Sequence, residues 1–201
     1  MGPREAAPLG DLMKIAMMSA LSLLLMEFVR VPLLPTAPFL TYDFSEVPAL
    51  ILAFTLGPAA GLAVVVIKNL LFLLLNLAPW ELIGIPVNTL AGIALVGIAS
   101  SVGNLRRQPH LENTQVWRGL LWGSGAMVLL MLPLNVLVYW LMSKFFSAMV
   151  PFDLGAYLVA MILPFNIIKS LTTSLVVGLL WRRLAWNLRG QAPLAAGAAG
   201  G

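Results

Sequence analysis

An amide at Asn166 and an ammonium at Lys169 lie three residues apart inside an apolar run from Ala156 to Trp181. On a helix, residues at that spacing share one face. A lysine at membrane depth costs at least about 2.5–3.5 kcal/mol on insertion scales, so it marks a functional site by default. Asn135 and Lys68 are further polar groups inside apolar runs, and Asp43 and Glu46 are acids at the start of another. Their common chemistry is hydrogen bonding and charge pairing. Catalytic sets are missing. The single histidine, His110, stands in the polar stretch Asn104–Trp117, and Ser19 and Ser22 have no base at hand. With no cysteine, the chain can form neither a disulfide nor a thiolate metal site. No His/carboxylate cluster marks a metal, and no phosphate-cradling glycine loop is found, so neither a metal nor a catalytic role is expected.

The elements that must position these groups are membrane helices. Of 201 residues, 60% are hydrophobic and 10% charged, and the mean hydropathy is +0.95. A soluble domain of that size cannot hide so much apolar surface. The sequence predicts an all-α membrane protein with six transmembrane helices: Leu12 to Val29, Phe44 to Leu56, Ala59 to Leu77, Ile83 to Val102, Gly119 to Met142 and Ala156 to Trp181. The second is short, roughly 13 residues or about 20 Å. Asp43-Phe44-Ser45-Glu46 has the spacing of a capping box, with Asp43 as N-cap. A Pro-rich segment from Val31 to Thr41 is too polar and broken to cross. Gly57-Pro58 separates spans two and three, and no repeat marks inverted halves. The expected organisation is an N-terminal cytoplasmic segment (1–11) without a cleavable signal pattern, a six-helix domain (12–185) and a disordered cytoplasmic tail (186–201).

Orientation follows from basic residues. Arg4, Lys14, Arg106, Arg107, Arg118, Arg182, Arg183 and Arg189 fall on one side; Arg30 and Lys144 fall on the other. That asymmetry places both termini in the cytoplasm. The net charge of +4 then reflects topology, not nucleic-acid binding. Trp80, Trp117, Trp122, Trp140 and Trp181 fit interfacial anchors.

Asn135 and Asn166 then lie roughly 10–15 Å below the outer interface. Each follows a proline by two residues, Pro133 and Pro164. A proline frees a backbone carbonyl one turn earlier, and irregular membrane backbone survives where it is buried or lines a cavity. Two readings are open on these residues alone: a polar pocket opening outward, or interhelical glue. Lys68 is expected to pair with a buried acid, Glu46 or Asp43, because an unpaired buried charge is costly.

Asp43-Phe44-Ser45-Glu46-Val47-Pro48-Ala49-Leu50, Gly57-Pro58-Ala59-Ala60-Gly61, Lys68-Asn69 and Pro164-Phe165-Asn166-Ile167-Ile168-Lys169 resemble the substrate-binding S component of energy-coupling factor (ECF) transporters, over about residues 12–185. Among those proteins the riboflavin-specific members are the most similar. The resemblance implies a vitamin receptor in a prokaryotic plasma membrane, working with a T component and two ATPase subunits. It implies an outward cavity holding riboflavin, and FMN as a further ligand, with no cofactor of its own. The polar contacts would come from Asn135, Asn166 and Lys169. Leu40, Phe39 and Trp80 would wall the dimethylbenzene edge, and Thr41, Tyr42, Asp43 and Glu81 would serve the ribityl hydroxyls.

Ala16 and Ala20 form a small-xxx-small pattern on the first helix. The resemblance implies that this pattern docks on the T component, in a membrane-lipid setting. Two alternatives stand beside this expectation. One is a self-sufficient secondary transporter using Lys169 or Glu46 for proton coupling. The other is an S component for another vitamin, such as pantothenate.

Overall fold

The structure, a computed structural model, describes residues 7–35, 40–103, 112–145 and 153–197. Helix α1 (Ala7–Phe28) leads into two short strands, β1 (Val31–Pro32) and β2 (Thr41–Tyr42). Helices α2 (Glu46–Leu56), α3 (Pro58–Leu75), α4 (Glu81–Gly103) and α5 (Asn113–Phe145) follow. The last span begins with a short turn, α6 (Leu154–Ala156), passes through a π-helical turn at Tyr157–Ile162 and continues as α7 (Leu163–Gly197). Among the described residues five segments are long and apolar enough to cross a membrane: Leu9–Phe28, Pro58–Leu75, Glu81–Gly103, Asn113–Phe145 and Leu154–Arg183. At 11 residues, α2 rises only about 16 Å, short of the roughly 30 Å hydrocarbon core.

That shortness matches where α2 sits. Eight of its residues, Glu46 to Leu50 and Leu52 to Phe54, are buried, making it the central helix of the bundle. Gly57 holds φ at +107°, a conformation open to glycine, and Pro58 occupies the first turn of α3. The chain therefore reverses between α2 and α3 without a loop. Large apolar residues on the outer helices, such as Leu74, Leu129 and Val159, are exposed, while the interior holds Lys68, Asn69, Asn135, Asn166 and Lys169. That inversion is what lipid as solvent demands.

Helices α4 and α5 approach closely because α5 presents glycines. A Cβ at Gly123 would stand 2.5 Å from Leu95 O and 2.8 Å from Ala99 Cβ. Gly178 of α7 likewise makes room for the Trp117 ring.

Several expectations change. The Pro-rich stretch, expected only to be too polar and broken to cross, carries an antiparallel pair, with Val31 opposite Tyr42 and Pro32 opposite Thr41. The capping box does not form. Ser45 is the residue before α2 and caps nothing with its side chain; Asp43 Oδ1 instead accepts the Ser45 N–H at 2.9 Å. Glu46 is drawn away by the greater demand of a buried ammonium, accepting from Lys68 Nζ at 2.9 Å. Trp181 is no interfacial anchor: it is buried, with its ring 5.7 Å from that of Phe54. Helical backbone also extends beyond residue 185 to Gly197.

Candidate functional site

A cavity of about 650 Å³ lies between the ends of α1 and α4, the β2 segment, α5 and the last span. That volume falls in the range of sites that enclose small organic ligands. Its lining is mostly apolar, with Met127 and Met131 from α5 and Ile162 and Phe165 from the last span. A few polar groups converge on it, as orientation and specificity require.

Lys169 lines the cavity and is 4% exposed. Its ammonium donates to Asn88 Oδ1 at 2.7 Å. Asn88 in turn donates through Nδ2 to Asn69 Oδ1 at 2.9 Å, and Asn69 donates to Val65 O of its own helix at 2.9 Å. A hydrogen-bonded line thus crosses α7, α4 and α3. Its first two members, Lys169 and Asn88, line the cavity.

The two Pro-x-Asn elements are not equivalent. Both asparagines are buried and both donate one N–H to the carbonyl four residues back, Asn135 to Met131 O and Asn166 to Ile162 O, each at 2.8 Å. Asn135 Oδ1 also accepts the Tyr157 hydroxyl at 3.1 Å. Among the described residues Asn166 Oδ1 has no such partner, so Asn166 presents a free acceptor and a second N–H to the cavity. The π turn explains the position of Asn166. Leu163 N–H bonds to Leu158 O, five residues back, just before Pro164, which has no N–H to give. The register shift absorbs the proline and sets Asn166 and Lys169 on the inner face.

The remaining expected residues divide. Leu40, Thr41, Asp43, Trp80 and Glu81 line the cavity together with Asn135, Asn166 and Lys169. Tyr42 does not line it: strand alternation turns its side chain the other way, where its hydroxyl shares a 3.2 Å hydrogen bond with that of Thr173. Phe39 lies outside the described residues. Burial would raise the Asp43 carboxyl, but Lys169 and Lys68 outweigh it and hold the group below the usual carboxylate range. Lys68 is 0% exposed and does not reach the cavity; it pairs with Glu46 at 2.9 Å and donates to the Ser45 hydroxyl. Ala16 and Ala20 lie exposed on α1.

Sequence reasoning missed Asn88, Arg30 and Tyr157. Asn88 carried the same signal as Asn135 and Asn166, an amide inside an apolar run two residues after a proline, here Pro86. Arg30 was read as a topological charge. It lines the cavity, its guanidinium 4.2 Å from the centroid of the Phe72 ring and 3.7 Å from the Glu81 carboxylate.

The comparisons with known proteins agree with one another. Residues 11–181 match the family described as ECF transporter, substrate-specific component. The riboflavin transporter RibU of Staphylococcus aureus (strain TCH60) is 34% identical over 180 residues, covering 87% of this chain and 89% of the relative. The riboflavin transporter FmnP of Bacillus subtilis (strain 168) is 32% identical over 182 residues, covering 86% and 90%. The solved S component of a bacterial ECF transporter superposes with a TM-score of 0.66 at 32% identity, covering 89% of this chain and 97% of that one. A family match over most of the chain, relatives above 30% identity and a shared fold lead to one conclusion: this chain belongs to the substrate-specific components of ECF transporters.

Proposed function

We propose that this protein is the riboflavin-capturing subunit of an ECF importer. It binds the vitamin in the cavity from the outside and hands it on with a T component and two ATPase subunits. The observation that carries the reading is the pairing of Asn166 and Lys169, three residues apart on α7, in the lining of a mostly apolar cavity. Flavin is a flat heterocycle with the same division. Its pyrimidine edge alternates carbonyl acceptors with an N–H donor, and its dimethylbenzene edge is apolar. Asn166 Oδ1 can accept the ring N–H while its second amide N–H and the Lys169 ammonium donate to ring oxygens or nitrogen. Asn135, already bonded to Met131 and Tyr157, has one lone pair and one N–H left for the ligand.

Trp80 and Leu40 supply apolar wall. Thr41, Asp43 and Glu81 stand where a polyol chain needs partners. FMN is a second ligand of the same class, and pantothenate lacks the flat donor–acceptor edge that the site matches. The domain spans about residues 12–185, six helices cross or enter the plasma membrane of a prokaryote, and both termini face the cytoplasm. The bias of basic residues supports that orientation. The exposed Ala16/Ala20 face is the docking surface for the T component. The chain does no chemistry of its own.

Reconstitution tests this reading. Riboflavin uptake into proteoliposomes should require the T component, both ATPase subunits and ATP. Uptake by this chain alone, driven by a pH gradient, would overturn it in favour of a proton-coupled carrier.

A further inference from the structure

We propose that Asn88 is a positioning residue: it aims the Lys169 ammonium into the cavity, and Asn69 fixes which way round the Asn88 amide lies. This inference rests on the riboflavin reading of the same cavity.

The argument begins with the freedom of a lysine. Its side chain has four rotatable bonds, and its ammonium can point its three N–H donors in many directions. A ligand that uses such a group must first hold it still, and that ordering subtracts from affinity unless the protein has already done it. Among the described residues Lys169 has one hydrogen-bond partner, Asn88 Oδ1 at 2.7 Å, within the range of charge-assisted bonds. The Phe165 ring centroid is 6.0 Å from the same nitrogen, at the outer limit of a cation–π contact. Asp43 acts on Lys169 through its field, with no hydrogen bond between them. The directional hold therefore comes from Asn88.

An amide serves in that role only if its oxygen faces the lysine. Turned over, it would aim an N–H at an ammonium. Asn69 prevents this. Asn69 spends its own N–H on Val65 O at 2.9 Å, which leaves Oδ1 as the atom it shows to α4. That oxygen accepts from Asn88 Nδ2 at 2.9 Å and so commits the Asn88 oxygen to Lys169. Each link sets the polarity of the next. Backbone of α3 thereby dictates the direction of a donor on α7, through one residue of α4. One N–H of Asn88 and two of Lys169 remain for a ligand.

Interhelical glue is the simpler account of two asparagines meeting between α3 and α4. It predicts a loss of stability that is indifferent to whether Lys169 is present. Positioning predicts that the two residues act as a unit.

The test is a double-mutant cycle on the full-length protein in detergent, with riboflavin as the probe. Asn88→Ala should weaken binding by about tenfold, comparable to Lys169→Ala. In the Lys169→Ala background the same change should cost less than about threefold. Asn69→Ala should weaken binding by a smaller factor, again only when Lys169 is present. Bound riboflavin should also show an absorbance spectrum in Asn88→Ala displaced toward that of Lys169→Ala. Should Asn88→Ala fail to fold, Asn88→Thr replaces it, since its hydroxyl can satisfy Asn69 and is too short to reach Lys169. Additive losses with an unchanged flavin spectrum would overturn the positioning role and leave the riboflavin reading intact. Wild-type protein that binds no riboflavin would overturn both.

Discussion

Lys68 on α3 and Glu46 on α2 form an ion pair at 2.9 Å with side chains 0% and 1% exposed. Glu46 lies three residues after Asp43, which lines the cavity with Leu40 and Thr41, and Lys68 also donates to the hydroxyl of the intervening Ser45. The pair therefore clamps the base of the binding-site wall to the bundle. It is a structural device beside the site, not a ligand contact. Breaking it leaves a buried charge without its partner.

Lys68→Met is accordingly expected to destabilise the protein by about 3–5 kcal/mol, the usual cost of removing one member of a buried pair. Lys68→Met combined with Glu46→Gln should recover much of that loss. Thermal unfolding in detergent checks both. Equal stability of the single and double variants would contradict the clamp.

At Gly92 the helices leave no room for a side chain. A Cβ there would lie 2.8 Å from Val65 Cγ1 and 3.1 Å from Glu46 Oε1. Gly92→Val should therefore displace the clamp as well as the α3–α4 contact. A loss of about 1–3 kcal/mol is expected from overpacking. The glycines without close neighbours give a control: nothing lies within 4 Å of a Cβ at Gly125, so Gly125→Ala should be neutral or slightly stabilising.

Asp43 introduces a dependence on pH with a defined sign. Its carboxyl is held below its ordinary value of 3.8 in the folded protein. A lowered folded-state value means that its contribution to stability is complete above about pH 4 and is lost as the pH falls through the lower folded-state value. Between pH 5 and 8 the group should contribute no slope. Asp43→Asn should lower the melting temperature at pH 6 and flatten the acid limb of the profile. Melting curves from pH 3 to 8 measure this; an unchanged acid limb would contradict it.

The exposed pair Ala16 and Ala20 predicts a separation of functions. Ala16→Trp or Ala20→Trp should abolish association with the T component and leave riboflavin affinity unchanged, because neither residue lines the cavity. A pull-down that retains the T component with either variant would remove this face from the interface.

Much of the site was legible because lipid makes polar residues conspicuous. Asn135, Asn166, Lys169 and Lys68 each stood out in apolar runs, and the need to pair Lys68 pointed to Glu46 or Asp43, of which Glu46 is the partner. What the sequence could not show was how each asparagine divides its hydrogen bonds. The inequality of Asn135 and Asn166 depends on Tyr157, 22 residues from Asn135 and brought to it by packing of the last span on α5. Asn88 showed the same spacing in Pro86-Val87-Asn88, but its value lies in partners 19 and 81 residues away. The capping box failed because local spacing says nothing of a lysine arriving from the next helix. The small β pair escaped notice because two-residue strands have no readable period.

The central claim is that Asn166 and Lys169 hold the polar edge of riboflavin inside this cavity. Isothermal calorimetry of purified protein, with Asn166→Ala and Lys169→Ala beside wild type, tests it most directly. The account predicts one-to-one riboflavin binding by wild type and a loss of about tenfold or more in each variant, with folding preserved. Unchanged affinity in well-folded variants would contradict it.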